Sequence, residues 1–237
     1  MSSMYWKFTI NNKHYDSNSL SQMDNRYRAK FINSLSGFKS VNLIGTQDDD
    51  GQSNLAIFSS VVHLGASPAL VGFVMRPDNG SRHTLDNIIS TKHYTINQVS
   101  ADFYRAAHQS SAGYVKEQSE FIHTGLNASY IKEVKAPFVK ESQVKYALTL
   151  REILPISHNN TQFIIGEITH IICDEKAITD DGYIDIEALE TVCVSGLDSY
   201  HTSKRLSRLS YAKPDRLSTD ISLDGSVDII TENNGKD

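Results

Sequence analysis

The pattern of polar and apolar positions changes near residue 37. Through residues 1–25 Asn, Ser, Asp and Lys dominate, apart from one short apolar run that predicts a strand at Tyr5–Ile10. Residues 26–37 place apolar side chains at helical spacing, and Gly37 closes the pattern, which predicts a short helix. We therefore expect residues 1–37 to form an N-terminal arm that ends in this helix.

Beyond residue 37 the pattern becomes strand-like. Three apolar, β-rich runs follow one another at Val41–Thr46, Leu55–Leu64 and Ala69–Met75. Asp50-Gly51 separates the first two runs, and this dipeptide between apolar segments favours a hairpin turn. The pattern predicts an antiparallel meander, which is how many sheets and barrels begin.

Short helices interrupt further strands in the middle of the chain. Ser81 is a candidate cap for a helix whose apolar face would hold Leu85, Ile88 and Ile89, and a second helix is predicted at Asp102–Gly113. The later predicted strands are Tyr94–Val99, Val144–Ile153 and Thr161–Cys173. This order lacks the regular alternation of strands and helices found in a doubly wound fold. It therefore predicts a mainly β protein with short helices.

The segment 213–237 is polar and rich in Ser, Asp and Asn, which predicts a flexible tail. We therefore predict that residues 38–212 form one domain. The net charge of −5 argues against a nucleic-acid binder. No apolar run is long enough for a membrane-spanning helix, and the first residues lack a signal-peptide pattern, so we expect a cytoplasmic protein. The two cysteines and nine histidines show no metal-ligand spacing, so no metal site is predicted.

One window of about 35 residues could hold an anion. Arginine, serine, threonine and histidine side chains gather where the third strand ends and a helix begins, and both an arginine fork and a helix N-terminus favour phosphate. Taken singly, each has an ordinary interpretation: the arginines as solvated charges, and Ser59 and Ser60 as strand residues bonded to backbone. No Gly-rich nucleotide motif is present. The residues concerned are Ser59, Ser60, Arg76, Ser81, Arg82, His83 and Thr84.

The order of several segments resembles the flavin reductase-like family. The segments that carry the resemblance, which covers residues 38–212, are Asn54-Leu55-Ala56-Ile57-Phe58-Ser59-Ser60, Pro68–Arg76, His83-Thr84-Leu85, Tyr94–Asn97, His108–Ala112, Ser119-Glu120-Phe121 and Ile165–Ile168. The resemblance implies an FMN-binding split β-barrel with antiparallel, Greek-key-like strands. It also implies a homodimer with FMN in a groove at the subunit interface.

The resemblance also implies which residues bind the cofactor. Asn54, Leu55 and Ala56 would lie beside the flavin rings, and Ser59 and Ser60 near the ribityl chain or phosphate. Arg76, Ser81, Arg82, His83 and Thr84 would surround the phosphate, while Ser110, Ser111 and Ala112 would lie near the flavin. The family often has Lys or Arg, then Asp, then Thr where this chain has Arg82-His83-Thr84, so the role of His83 stays open.

The activity that the resemblance implies is reduction of flavin, or of a small acceptor through bound FMN, by hydride transfer from NADH or NADPH to flavin N5. This chemistry belongs to the cofactor, so no catalytic side chain is predicted. The resemblance also allows a partner protein that consumes the reduced flavin. Two alternatives stay open: a flavodoxin-like FMN electron carrier that does not oxidise NAD(P)H, and a split barrel that binds haem or another ligand. Tyr200 or His201 would either stack on a ring or belong to a basic surface segment.

Overall fold

The computed structural model describes residues 12–77 and 83–226. The helices within these ranges are α1 (Ser17–Ser21), α2 (Asn25–Ser34), α3 (His83–Thr91), α4 (Tyr104–Gln109) and α5 (Glu120–Thr124). The strands are β1 (Lys39–Ser40), β2 (Asn42–Gln47), β3 (Ser53–Phe58), β4 (Val62–Ala66), β5 (Ala69–Met75), β6 (His93–Gln98), β7 (Ala128–Ser129), β8 (Phe138–Val139), β9 (Val144–Ile156), β10 (Thr161–Cys173), β11 (Val192–Ser195), β12 (Ser199–Thr202), β13 (Arg208–Leu209) and β14 (Asp220–Ile221).

Seven strands form the central sheet, in the order β3-β2-β6-β9-β10-β5-β4. All pairs are antiparallel, and the long hairpin of β9 and β10 contributes its middle. The two edge strands, β3 and β4, are consecutive in sequence although they lie at opposite ends of the order. The sheet rolls into a split barrel, which confirms the mainly β fold with short helices.

The predicted second strand, Leu55–Leu64, is wrong as a single element. The chain leaves β3 at Phe58 and enters β4 at Val62, so that β3 pairs with β2 while β4 pairs with β5. Ser60 makes this break possible, because its hydroxyl donates to the Val74 carbonyl (3.2 Å) and accepts from the Val74 N–H (3.1 Å). One side chain thus satisfies backbone groups at the seam of the barrel, between the end of β3 and β5.

Two of the apolar clusters among the described residues pack around the seam. One fills the barrel around Phe73, Tyr94 and Ile164, all fully buried. Gly166 leaves room for the Tyr94 ring, because a Cβ there would overlap the tyrosine hydroxyl. The other cluster packs α4, α5 and β11 against β2 and β3, with Leu43 and Leu55 at its centre. Together the clusters hold the ends of β3 and β5 in place around the seam.

The predicted helices differ from the observed ones at their ends. Helix α3 buries Leu85 and Ile88 as predicted, but Ile89 is 42% exposed and does not belong to the apolar face. The predicted Asp102–Gly113 helix is shortened to α4, since hydrogen-bonded turns occupy both flanks. The Ser81 cap and the Tyr5–Ile10 strand lie outside the described residues. The segment predicted to be a flexible tail contains β14, which pairs with β13.

No helix within residues 12–77 and 83–226 is long and apolar enough to cross a membrane.

Candidate functional site

A groove of about 660 Å³ opens beside the seam of the barrel. Its volume lies in the range of roughly 300–1,000 Å³ that is usual for cofactor and small-molecule sites. The walls come from the C-terminal side of α2, the ends of β3 and β5, the end of α4 and the β11–β12 hairpin. The lining residues are Asn33, Ser36, Lys39, Val41, Ala56, Ile57, Phe58, Ser59, Ser60, Val74, Met75, Arg76, Pro77, Thr84, His108, Ser110, Ser111, Val194, Leu197 and Tyr200.

The groove is basic although the whole chain is acidic. Lys39 and Arg76 line it, and none of its described lining residues is Asp or Glu, in a chain of net charge −5. The Lys39 ammonium donates to the carbonyls of Gly196 (2.7 Å) and Asn33 (3.1 Å). Partial burial, with a smaller effect from the charge of Arg76, lowers the pKa of Lys39. This electrostatic balance favours an anionic ligand.

A histidine–tyrosine pair stands on another wall of the groove. His108 Nδ1 and the Tyr200 hydroxyl are 2.8 Å apart, and the Tyr104 ring packs on Tyr200 with centroids 5.3 Å apart. Burial raises the pKa of the Tyr200 hydroxyl. Tyr200 therefore stays protonated near neutral pH and presents both a hydroxyl and part of a ring to a ligand.

Asn54 and Leu55 are not among the residues that line the groove. The Asn54 amide donates to the hydroxyls of Thr46 (3.2 Å) and Thr84 (3.0 Å). The Leu55 N–H donates to the Glu120 carboxylate (2.9 Å), and Leu55 itself is fully buried. Asn54, His83 and Glu120 instead line a separate polar cavity of about 10 Å³, which has room for about one water molecule.

The structure thus divides the predicted site residues into three groups. Seven line the groove together: Ala56, Ser59, Ser60, Arg76, Thr84, Ser110 and Ser111. Four do not line it: Asn54, Leu55, His83 and Ala112. Two lie outside the described residues: Ser81 and Arg82.

Sequence reasoning missed the wall built from Asn33, Ser36 and Lys39. No local signal marks these residues, because the pairing of β1 with β11 and the bonds from Lys39 to Asn33 and Gly196 bring this wall to the groove. Lys39 faces Val194 in that pairing, far away along the chain. The amino-acid composition of the segment around Lys39 does not indicate this contact.

Comparison with known proteins identifies the fold and the family. The family model described as "Flavin reductase like domain" matches residues 37–187. A solved structure from Shewanella frigidimarina NCIMB 400, a candidate flavin reductase with split barrel domain, is 50% identical, covers 85% of this chain and 100% of its own, and superposes with a TM-score of 0.82.

Two more distant structures share the fold. Nitrilotriacetate monooxygenase component B from Bacillus cereus is 18% identical over 84% of this chain and 98% of its own, with a TM-score of 0.73. Flavoredoxin of Desulfovibrio vulgaris (Miyazaki F) is 23% identical over 76% of this chain and 92% of its own, with a TM-score of 0.63. At these identities the likeness concerns the fold alone.

The family match spans well over half of the chain, and the described strands form the split barrel that the Shewanella structure also has. A flavin is the ligand that this match supports, and the basic groove beside the barrel seam has the size for one. The chain belongs to the flavin reductase-like family.

Proposed function

We propose that this protein is an FMN-binding oxidoreductase that takes electrons from NADH or NADPH and reduces flavin, or a small acceptor, through bound FMN. The observation that carries the proposal is the groove of about 660 Å³, which combines cationic, hydroxyl and apolar walls and has no acidic residue among its described lining. The family match adds support for the flavin.

The lining residues fit the parts of FMN. Val41, Val74 and Leu197 offer apolar surface to a ring system, and the hydroxyls of Ser59 and Thr84 suit a polyol chain or a phosphate. Arg76 supplies a guanidinium that can bind a phosphate through two parallel hydrogen bonds. When bound, FMN supplies the hydride and electron transfer itself, so the chain needs to bind and orient rather than to provide a nucleophile.

Several groove side chains are already held in place by the fold. Ser60 is fixed by its two bonds to Val74, and the buried Ser110 hydroxyl donates to the Ala107 carbonyl (2.8 Å). The bond between His108 and Tyr200 positions the aromatic wall. Such preorganisation reduces the side-chain freedom that a ligand must remove on binding.

A homodimer is part of the proposal. Leu35 and Phe38, beside the α2 wall of the groove, are each 69% exposed, and a second copy of the chain would remove this apolar surface from water. A small-molecule acceptor, or a partner that consumes reduced flavin, would then complete the electron path.

The proposal predicts that the purified protein carries or binds FMN and passes electrons to it from a nicotinamide. The visible absorption spectrum is recorded first, with FMN added if the protein is colourless, and NADH or NADPH is then added under nitrogen. We expect flavin absorption that bleaches on addition of one nicotinamide. Bleaching only by dithionite would indicate an electron carrier instead. A protein that binds no FMN would contradict the proposed cofactor.

Arg76→Ala is expected to weaken FMN binding by about 1 kcal/mol, or roughly fivefold. The loss is smaller than is usual for a charge-assisted hydrogen bond because Arg76 is exposed and water screens its charge. Titration of the protein with FMN, followed by quenching of flavin fluorescence, measures the change. Unchanged affinity would remove Arg76 from the site.

A further inference from the structure

Two of the side chains that line the groove, Lys39 and Arg76, are cations. Among the described residues, neither Lys39 nor Arg76 lies within ion-pair distance of a carboxylate. The described lysines and arginines that form such pairs are Lys30, Lys116, Arg151, Arg205 and Arg208, none of which lines the groove. The groove therefore holds two cations that no described carboxylate neutralises.

The Lys39 ammonium is held in a defined place. An ammonium has three N–H donors, and the carbonyls of Asn33 and Gly196 accept two of them. One donor is left for a ligand. The two carbonyls join the end of α2 to the β11–β12 hairpin, so the fold itself sets the position of this ammonium beside the groove.

The two charges also lie near each other. Arg76 contributes to the lowered pKa of Lys39, in the direction expected for neighbouring like charges. Two cations kept close together repel each other. An anion that contacts both would relieve this repulsion and gain charge-assisted hydrogen bonds.

We propose that Lys39 and Arg76 together bind one phosphate group of a ligand in the groove. The inference rests on the proposed function for the identity of that ligand. Its phosphate has two possible sources: the monophosphate of FMN, or a phosphate of the nicotinamide dinucleotide. Lys39 is the residue of this pair that sequence reasoning did not find.

The test compares Lys39→Gln with Lys30→Gln. The Lys30 side chain is 70% exposed, does not line the groove and lies on α2, so its substitution removes a nearby charge without touching the site. Glutamine at position 39 keeps an N–H donor for the carbonyls but loses the charge. Dissociation constants for FMN, for riboflavin, which has no phosphate, and for 2′,5′-ADP are measured for both variants and the unsubstituted protein.

If the pair binds the FMN phosphate, Lys39→Gln weakens FMN binding at least about tenfold and leaves riboflavin binding within about twofold. If the phosphate belongs to the dinucleotide, the loss appears with 2′,5′-ADP instead. Lys30→Gln should change the binding of neither FMN nor 2′,5′-ADP. Equal losses for FMN and riboflavin would show that Lys39 only shapes the groove, and no loss for any ligand would also overturn the proposal.

Failure of the proposed function is distinguishable from failure of this inference. A protein that binds neither FMN nor riboflavin contradicts the proposed cofactor, yet the phosphate site can still be examined with inorganic phosphate. Phosphate should then raise the thermal midpoint of the unsubstituted protein and of Lys30→Gln by mass action, but not that of Lys39→Gln. An identical response of all three proteins would overturn the inference.

Discussion

Gly45→Ala is expected to lower the free energy of unfolding by about 3 kcal/mol, since the added methyl group would meet backbone in a fully packed place. A Cβ at Gly45 would overlap the carbonyl oxygen of Pro137 and lie 2.7 Å from the Thr95 hydroxyl oxygen. That hydroxyl donates to the same carbonyl (2.5 Å) and is buried, so Pro137 cannot retreat without breaking this bond.

Chemical denaturation followed by circular dichroism measures the loss. Gly113→Ala is the matched control, because a Cβ there meets nothing within 4 Å and the backbone is not left-handed. The control should stay within about 0.5 kcal/mol of the original protein, as is usual for surface changes. A Gly45→Ala protein as stable as the control would show that the contact between β2 and Pro137 is loose.

Glu120→Ala is expected to cost about 3 kcal/mol of stability, because it leaves the buried Leu55 N–H without an acceptor and opens a cavity. The Glu120 carboxylate accepts that N–H at 2.9 Å and is 8% exposed. Strand β3 is at the edge of the sheet formed by the described strands, so this bond supplies a partner on the side where none of those strands pairs. Glu120→Gln keeps an acceptor oxygen and should lose much less.

The pH dependence of stability in these variants distinguishes the effect of the hydrogen bond to Leu55 from the effect of the Glu120 charge. Burial raises the pKa of Glu120, although the Leu55 N–H and the nearby His83 and His123 favour the ionised form. A raised pKa means that the contribution of this carboxyl to stability is complete below its unfolded pKa, about 4.3, and falls as pH rises through the folded value. Glu120→Gln cannot ionise.

The stability of Glu120→Gln relative to the original protein should therefore improve as pH rises above about 4.3. Denaturant titrations at several pH values between about 4 and 7 measure this difference, and stability at acidic pH shows the cost of the amide itself. A difference that does not change with pH would mean that the folded pKa of Glu120 is not raised.

The strands were predictable where the pattern itself contains the boundary. Thr161–Cys173 was predicted with its observed limits, because turn residues precede a long β-rich run. The prediction of one strand at Leu55–Leu64 is wrong because the run of β-favouring residues has no interruption. The break at Ser60 depends on Val74, a partner 14 residues away. A hydrophobic run indicates that a segment forms a strand, but it does not show which other strand that segment pairs with.

The lining of the candidate groove was predictable to the extent that its residues are close in sequence. Ser59, Ser60 and Arg76 fall in one window and line the groove together. Asn54 and Leu55 belong to the same window, yet their polar groups are used by Thr84 and Glu120 inside the protein. Lys39 reaches the groove through a bond to Gly196, 157 residues away, which a local pattern cannot reveal.

Ser60 serves both the closure of the barrel and the wall of the groove. Its hydroxyl closes the barrel seam at Val74, and the same residue forms part of the groove wall. Selection for a different ligand at this wall would therefore also act on barrel closure. A lineage that replaces this serine must acquire another polar group at the seam, whereas Leu197, in the turn between β11 and β12, lines the groove without that constraint.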